Sequence, residues 1–207
     1  MKPVKTGQIP NTNIYAIKDF IVNVYLIKTD TGYIMIDAGL NAQKIKNSIE
    51  EAGINISDVK WIFLTHSDGD HTAALALFPN AVIHMSKNEF PLINGTMKRT
   101  FWRGNSLPSG VNIDKIVPLS NGQVLSFDGI KVECILAQGH TIGSMMYLVD
   151  ATYLFTGDVF KIKNGKTLVH PFTMDVNLSK KTIEKLRETV KKSHLVLTSH
   201  YGIHNNN

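Results

Sequence analysis

The sequence predicts an α+β domain of two mixed β-sheets facing each other with helices outside. Strand-like runs, a helical run and further strand-like runs follow one another twice along the chain. No linker divides the halves, and 207 residues amount to one compact unit with a sizeable core. A single domain spanning residues 1–207 is therefore expected.

The elements follow in order. From Asn13 to Asp37 the chain reads as strands: Phe20 to Ile27 is rich in Val, Ile and Tyr, the group Asp30-Thr31-Gly32 marks a turn, and Tyr33 to Ile36 is the strand beyond it. Lys44 to Ala52 has helical spacing, with Ile45, Ile49 and Ala52 on one stripe and Gly53 as its stop. Trp61 to Leu64 is a short buried strand, Ala73 to Phe78 a short helix, and Ala81 to His84 another strand. Residues 88 to 114 show no clear period and hold Gly95, Gly104, Pro108 and Gly110, so they read as a long loop with some helix, a common location for a lid. Gln123 to Phe127 and Lys131 to Ile135 are joined by Asp128-Gly129, a hairpin signal. Met145 to Val149 and Tyr153 to Phe155 are strands, Ser179 to Lys192 an amphipathic helix, and Leu195 to Leu197 the last strand.

Composition narrows the function classes. With 43% hydrophobic and 19% charged residues the chain is globular rather than disordered. Its net charge of +5 comes from basic residues scattered in ones and twos, so no nucleic-acid surface is expected. The first residues contain no apolar core of a signal peptide, and no run of eighteen apolar residues occurs, so a cytoplasmic protein without membrane attachment is expected. The single Cys134 excludes an internal disulfide and a cysteine-cluster metal site.

The chemistry concentrates in Thr65-His66-Ser67-Asp68-Gly69-Asp70-His71, directly after an apolar strand. Alternate side chains of a loop leaving a strand point the same way, so His66 and Asp68 can share one metal while Asp70 and His71 turn towards a second, with Gly69 permitting the turn. Three further ligand candidates follow, each at a strand end or in a loop beside a strand: His140 in Gln-Gly-His-Thr-Ile-Gly-Ser, Asp158 in Phe-Thr-Gly-Asp-Val-Phe, and His200 in Leu-Thr-Ser-His-Tyr-Gly. The other histidines weigh less, because His84, His170, His194 and His204 have no ligand partner at short spacing. His170 is kept because it follows Asp158 closely enough to face the same cleft.

In this order the set resembles the metallo-β-lactamase superfamily, whose pattern is HxHxDH, then a His, a bridging Asp and a last His. The resemblance runs from Ile36-Asp37-Ala38-Gly39 to His200, nearly the whole chain. It implies an αβ/βα four-layer sandwich with a binuclear metal site in the cleft between the sheets. Residue by residue, His66 and His140 match first-metal ligands, Asp70, His71 and His200 match second-metal ligands, and Asp158 matches the bridging carboxylate. Asp37 matches an aspartate that supports the site by hydrogen bonding, or serves as a strand-end turn residue.

One position departs from the pattern: the second His of HxHxDH is Asp68, so a first-metal ligand is either an oxygen donor or missing, and a loop shift, a water filling the gap and a single-metal site are all open. Flavodiiron proteins, with Glu there, are the nearest relatives in charge. With Asp68, Asp70 and Asp158 all binding, two divalent ions and a hydroxide leave a neutral site rather than one of charge plus one, a milder Lewis acid. Oxygen donors favour iron or manganese. Four imidazoles favour zinc, so two divalent ions, zinc first, are expected.

The function this implies is a metal-dependent hydrolase using a metal-bound hydroxide on a small ester, thioester or lactone, similar to glyoxalase II, with Asp70 orienting the attacking water. At this length the extra helical domain of full-length glyoxalase II, the inserted domain of the RNA-processing nucleases and a flavodoxin domain are not expected. Tyr201, Lys161 and His170 are candidate substrate contacts, and Lys98-Arg99-Thr100-Phe101-Trp102-Arg103 reads as either a lid over an acidic or thioester substrate or an exposed loop. The alternatives are a di-iron redox or oxygen-handling protein, and a metal-binding module with impaired catalysis.

Overall fold

In the computed structural model, which describes residues 4–100 and 105–206, the first half of the chain lays down seven strands side by side in sequence order. They are β1 (Gly7–Gln8), β2 (Ile14–Asp19), β3 (Val22–Lys28), β4 (Tyr33–Ile36), β5 (Val59–Leu64), β6 (Val82–Ser86) and β7 (Val117–Leu119). Pairing is antiparallel up to β4 and parallel from β4 to β7. The change of direction follows from the connections: short turns link β2 to β3 and β3 to β4, whereas α1 (Ala42–Glu51) crosses over between β4 and β5. Asn41 caps that helix through its side chain on the Lys44 N–H, and Gly53, at φ +72°, ends it in the left-handed region.

The second half forms β8 (Val124–Phe127), β9 (Ile130–Leu136), β10 (Met145–Val149), β11 (Tyr153–Phe155), β12 (Phe160–Lys163), β13 (Lys166–Val169), β14 (Leu195–Leu197) and β15 (Ile203–Asn205). Six of these make the second sheet in the order β15-β14-β11-β10-β9-β8, mixed because β11 and β14 run parallel; β12 and β13 stand apart as a hairpin.

Alternation along the strands explains the layering. In β3, Tyr25 and Ile27 face the space between the sheets while Val24 and Leu26 face outward under α1. In β10, Met145, Tyr147 and Val149 face the same inner space and Met146 faces the C-terminal helices. These helices are α4 (Val176–Lys185) and α5 (Arg187–Lys192); α2 (Gly69–Thr72) and α3 (Phe90–Ile93) are single turns in the first half. Two sheets with a shared core, each covered outside by helices, make the expected αβ/βα sandwich. Cys134 is buried in that inner core and serves packing.

Three local expectations are corrected. The run read as one helix over 179–192 is two, starting at Val176 because Asp175 caps it through the Leu178 N–H. Helical bonds from Leu186 N to Thr182 O and from Val190 N to Leu186 O persist across the break. The helix expected over 73–78 begins earlier, as α2 at Gly69, and continues as a 3₁₀ turn at Leu75–Leu77. The β12–β13 hairpin was not anticipated, although Asn164-Gly165 at φ +51° and +69° is a type I′ turn pair.

No helix among the described residues is long and apolar enough to cross a membrane.

The sheets are tied together at one end by polar bonds rather than by apolar contact alone. Tyr147 donates its hydroxyl to the Leu64 carbonyl, Met145 N–H donates to Thr65 O at 2.9 Å, and Tyr25 donates to Thr198 O at 2.8 Å. Tyr147→Phe is expected to lower unfolding free energy by about 1–2 kcal/mol, since it strands a buried carbonyl without changing packing volume. Urea denaturation checks this, with the midpoint falling and the slope unchanged.

Candidate metal centre

The carboxyl ends of β4, β5, β9, β11 and β14 deliver the loops that hold Asp37, His66 to His71, His140, Asp158 and His200. Parallel strands in each sheet put these ends at one edge of the sandwich, as ligand sites in such sheets commonly are. Gly157 permits a close approach of two of these loops. It lies at φ +53°, and a Cβ there would stand 2.5 Å from the Thr65 hydroxyl oxygen, so any other residue would push Asp158 away from the β5 loop.

Asp37, fully buried and itself at φ +59°, aims two of the imidazoles. Its carboxylate accepts the Thr65 N–H at 2.8 Å, the Thr65 hydroxyl at 2.9 Å, and His71 Nδ1–H at 2.8 Å. Because the Thr65 hydroxyl proton goes to Asp37, its oxygen can accept from His66 Nδ1–H at 3.0 Å. His200 donates Nδ1–H to Ile21 O at 2.7 Å and His170 donates Nδ1–H to Pro171 O at 2.8 Å, carbonyls being acceptors only. In all four rings the Nε2 lone pair is thereby turned away from the scaffold.

The Nε2 atoms of His71, His170 and His200, joined by that of His140, meet around Asp158. Its Oδ2 lies 3.3 Å from His200 Nε2, 3.5 Å from His170 Nε2, 3.6 Å from His140 Nε2 and 3.8 Å from His71 Nε2. Asp70 Oδ2 completes the side near His200, at 3.3 Å from its Nε2 and 3.7 Å from that of His71. Donors sharing one tetrahedral ion at about 2.0–2.1 Å stand roughly 3.4 Å apart, so these separations suit a divalent cation. Buried His66 Nε2, His71 Nε2, His170 Nε2 and Asp158 Oδ1 have no hydrogen-bond partner, an arrangement that a bound cation relieves. The chain thus fits a divalent metal, with Asp70, His71, Asp158 and His200 as holders and His66 beside them.

Asp68 lies beside this cluster with a different partner. Its Oδ2 is 3.2 Å from His140 Nε2 and 3.5 Å from His66 Nε2, yet the carboxylate is gripped from outside by Arg99, Nε to Oδ1 at 2.8 Å and Nη2 to Oδ2 at 2.9 Å. Asn105 Nδ2 donates to Oδ1 at 2.9 Å. Arg99 Nη2 also reaches His140 Nε2 at 3.1 Å and Phe172 O at 2.9 Å.

Sequence reasoning missed Arg99 as a site residue, naming it only within the possible lid, and missed Glu89 altogether. Glu89 is fully buried and accepts Ser67 N–H (2.9 Å), Ser67 Oγ–H (2.8 Å), Thr141 Oγ1–H (2.8 Å) and Gly143 N–H (2.9 Å), tying the loop of His66 to the loop of His140. Neither had a local signal, since both lie in the segment without period and act across the fold.

The remaining candidates divide. His170 joins His140 and Asp158 as a possible ligand group. The Tyr201 ring packs on His170, 5.5 Å between centroids, and Tyr201 otherwise lines a neighbouring cavity with Lys5 and His204. Lys161 sits in β12 opposite Leu168 and does not line the site cavity. Trp102 and the rest of 101–104 lie outside the described residues. His84 stacks on Phe63 at 4.6 Å in a packing role.

Charge in the metal-free protein follows from this geometry. Burial alone would lower the His200 pKa, but hydrogen bonds to Asp158 and Asp70 outweigh it and raise the value to about 9. His71 is likewise held well above its usual value, burial being overcome by Asp37, Asp70 and Asp158. His140 is pushed down to about 4 chiefly by burial, and His170 is lowered for the same reason. Asp158 is held well below the carboxylate range, its burial outweighed by His71, His200 and His170.

A cluster of carboxylates and imidazoles at the edge of an αβ/βα sandwich defines a metal-binding protein of that fold. The sequence profile of the metallo-β-lactamase superfamily matches residues 17–199, and the chain belongs to that superfamily. It is 33% identical over 141 residues to the lactamase-like protein nscB of Trichophyton rubrum, covering 66% of this chain and 37% of that one. It is 27% identical over 160 residues to a Bacillus subtilis protein named as a probable polyketide biosynthesis zinc-dependent hydrolase, PksB, covering 75% and 59%. The chain therefore spans between about a third and three fifths of the length of such curated relatives. Among solved structures, a B3 metallo-β-lactamase described as having an active-site glutamic acid superposes with TM-score 0.76 at 20% identity, over 99% of this chain and 84% of that one. BJP-1, a subclass B3 enzyme of Bradyrhizobium japonicum, gives 0.74 at 21%, over 96% and 78%.

Two outcomes are expected. With the His200 pKa at about 9, the metal-free protein holds that proton at pH 7, so zinc must displace it. Calorimetry at pH 7 in buffers of different ionisation enthalpy should show proton release, with affinity rising as pH increases towards 9; buffer-independent heats would contradict this. Glu89→Gln places an amide N–H2 against donors and should weaken zinc affinity by about 10–100-fold, measured by competition with a chromophoric chelator.

Proposed function

We propose that the protein is a metal-dependent hydrolase acting on a small ester, thioester or lactone, with zinc as the ion. The observation that carries this reading is the position of Asp70: it shares the cluster with His71 and His200, yet its side chain is 26% exposed and lines the open cavity above them. That cavity, of about 430 Å³, is lined by the polar side chains of Ser67, Asp68, Asp70, Arg99 and Asn105 and by the apolar ones of Leu40 and of Phe172, which is 84% exposed. A polar lining with two exposed apolar side chains suits a small acyl compound whose reacting carbonyl meets the polar groups while its hydrocarbon part packs on Leu40 and Phe172. The name of the Bacillus subtilis relative supports zinc.

When bound, a divalent ion supplies a water acidified towards neutral pH and polarises the carbonyl to be attacked. The chain's own residues do the rest. Asp70 accepts a hydrogen bond from the attacking water, takes its proton as the carbonyl carbon becomes tetrahedral, and returns it to the departing alkoxide or thiolate. Asp37, through Thr65 and His71, keeps the imidazoles in one tautomer throughout. His170, with Nε2 3.5 Å from Asp158, lies among the ligand candidates and does not line the cavity.

The di-iron alternative relies on Asp68 as an added oxygen donor. That carboxylate is already paired with Arg99 and Asn105, which favours the hydrolytic reading.

Screening zinc-loaded protein on aryl esters, S-acyl thioesters and lactones should reveal turnover that chelation abolishes. Asp70→Asn should lower kcat by about 10²-fold or more. No turnover across the three classes with zinc demonstrably bound would leave a metal-binding module instead.

A further inference from the structure

Four overlapping groups of donors surround Asp158: His66, Asp68 and His140; His66, His71 and Asp158; Asp70, His71 and His200; and His140, Asp158 and His170. Two of the four contain His140, and the other two share His71. Everything about the number of ions this site holds therefore turns on whether the His140 nitrogen is free.

It is not free. Arg99 Nη2 stands 3.1 Å from His140 Nε2, within hydrogen-bond reach of the nitrogen that faces Asp68 and Asp158. The guanidinium is held by four other contacts: both oxygens of Asp68, through Nε at 2.8 Å and Nη2 at 2.9 Å, a longer bond from Nε to Oδ2 at 3.2 Å, and the Phe172 carbonyl at 2.9 Å. The Arg99 side chain is 7% exposed, so this is a cation within the site rather than a surface ion pair. A guanidinium does not lose its proton near neutral pH. A divalent ion bonded to His140 Nε2 and Asp68 Oδ2 would lie against it, cation on cation, in a poorly solvated pocket where the repulsion is weakly screened.

We infer that Arg99 closes the first half of the centre, so that the chain holds one tightly bound ion, in the half made by Asp70, His71, His200 and Asp158. This rests on the metal-dependent reading above and narrows the two-ion expectation of the sequence. Asp68 in place of a histidine is then one half of a built pair: its carboxylate anchors the arginine that stands in for the first metal's positive charge. The arginine also borders the cavity beside Asp70, leaving a fixed cation at the wall where an anionic group of a substrate would rest.

The test counts ions. Protein stripped of metal, equilibrated with excess zinc and desalted, should retain one zinc per chain by mass spectrometry. Arg99→Gln, which removes the charge and keeps a polar side chain, should retain two. ¹⁵N NMR of the wild-type imidazoles offers a reading that needs no variant: zinc should shift the Nε2 resonances of His71 and His200 and leave that of His140 in place. Two zinc ions on the wild-type protein, a zinc-induced shift at His140, or a folded Arg99→Gln still retaining one ion would each overturn the inference while leaving a metal-dependent hydrolase standing. No zinc retained at all would overturn that underlying reading together with the inference.

Discussion

The buried carboxylate of Asp37 is the contact on which the centre depends. It sits at the end of β4 in the left-handed region and accepts from Thr65 of the next strand, from His71 of the following turn, and from the Ser199 hydroxyl at 3.4 Å in the other half of the chain. A charge buried this deeply is tolerable only with its lone pairs filled. Filling them draws the two sheets together at one end and sets the tautomers of His66 and His71. The same interaction that satisfies an internal charge thus aims the lone pairs at the cluster.

Around that hub the structure uses two further buried carboxylates for different ends. Glu89 takes four donors from the loops of His66 and His140 and has no oxygen left for a cation. Asp158 has one oxygen without any hydrogen-bond partner and the other facing four imidazoles. Residue type does not separate them; the supply of N–H and O–H donors does. Where the scaffold fills a carboxylate it acts as a strut, and where it leaves it unfilled the carboxylate is available to a metal.

Asp68 falls between these cases, and it separates this chain from the HxHxDH pattern it otherwise follows. Its oxygens face His66 and His140 at distances suitable for a shared ion, yet they are occupied by a guanidinium and an amide. The consequence for chemistry is a centre with two unlike halves, one of imidazoles and carboxylates open to a cation and one already carrying a fixed positive charge.

Much of this was legible in the sequence. Two facing mixed sheets with helices outside followed from the order of strand-like and helical runs and from Asp128-Gly129, because local steric preferences and burial patterns are written in neighbouring residues, and the resemblance to the superfamily implied the four-layer αβ/βα arrangement. The potential ligands from His66 to His71, and His140, Asp158 and His200, were readable because each follows a strand whose end it decorates. What only the tertiary structure decided is who meets whom. Arg99 reaches Asp68 across 31 positions and His140 across 41, Glu89 reaches Thr141 across 52, and His170 enters the cluster on a hairpin that sequence reading passed over. Such contacts are made by loops without periodicity, whose side chains are positioned by the packing of distant strands. A sequence can therefore display the ligands of a metal centre in order while leaving to the fold the charge that decides how many ions they hold.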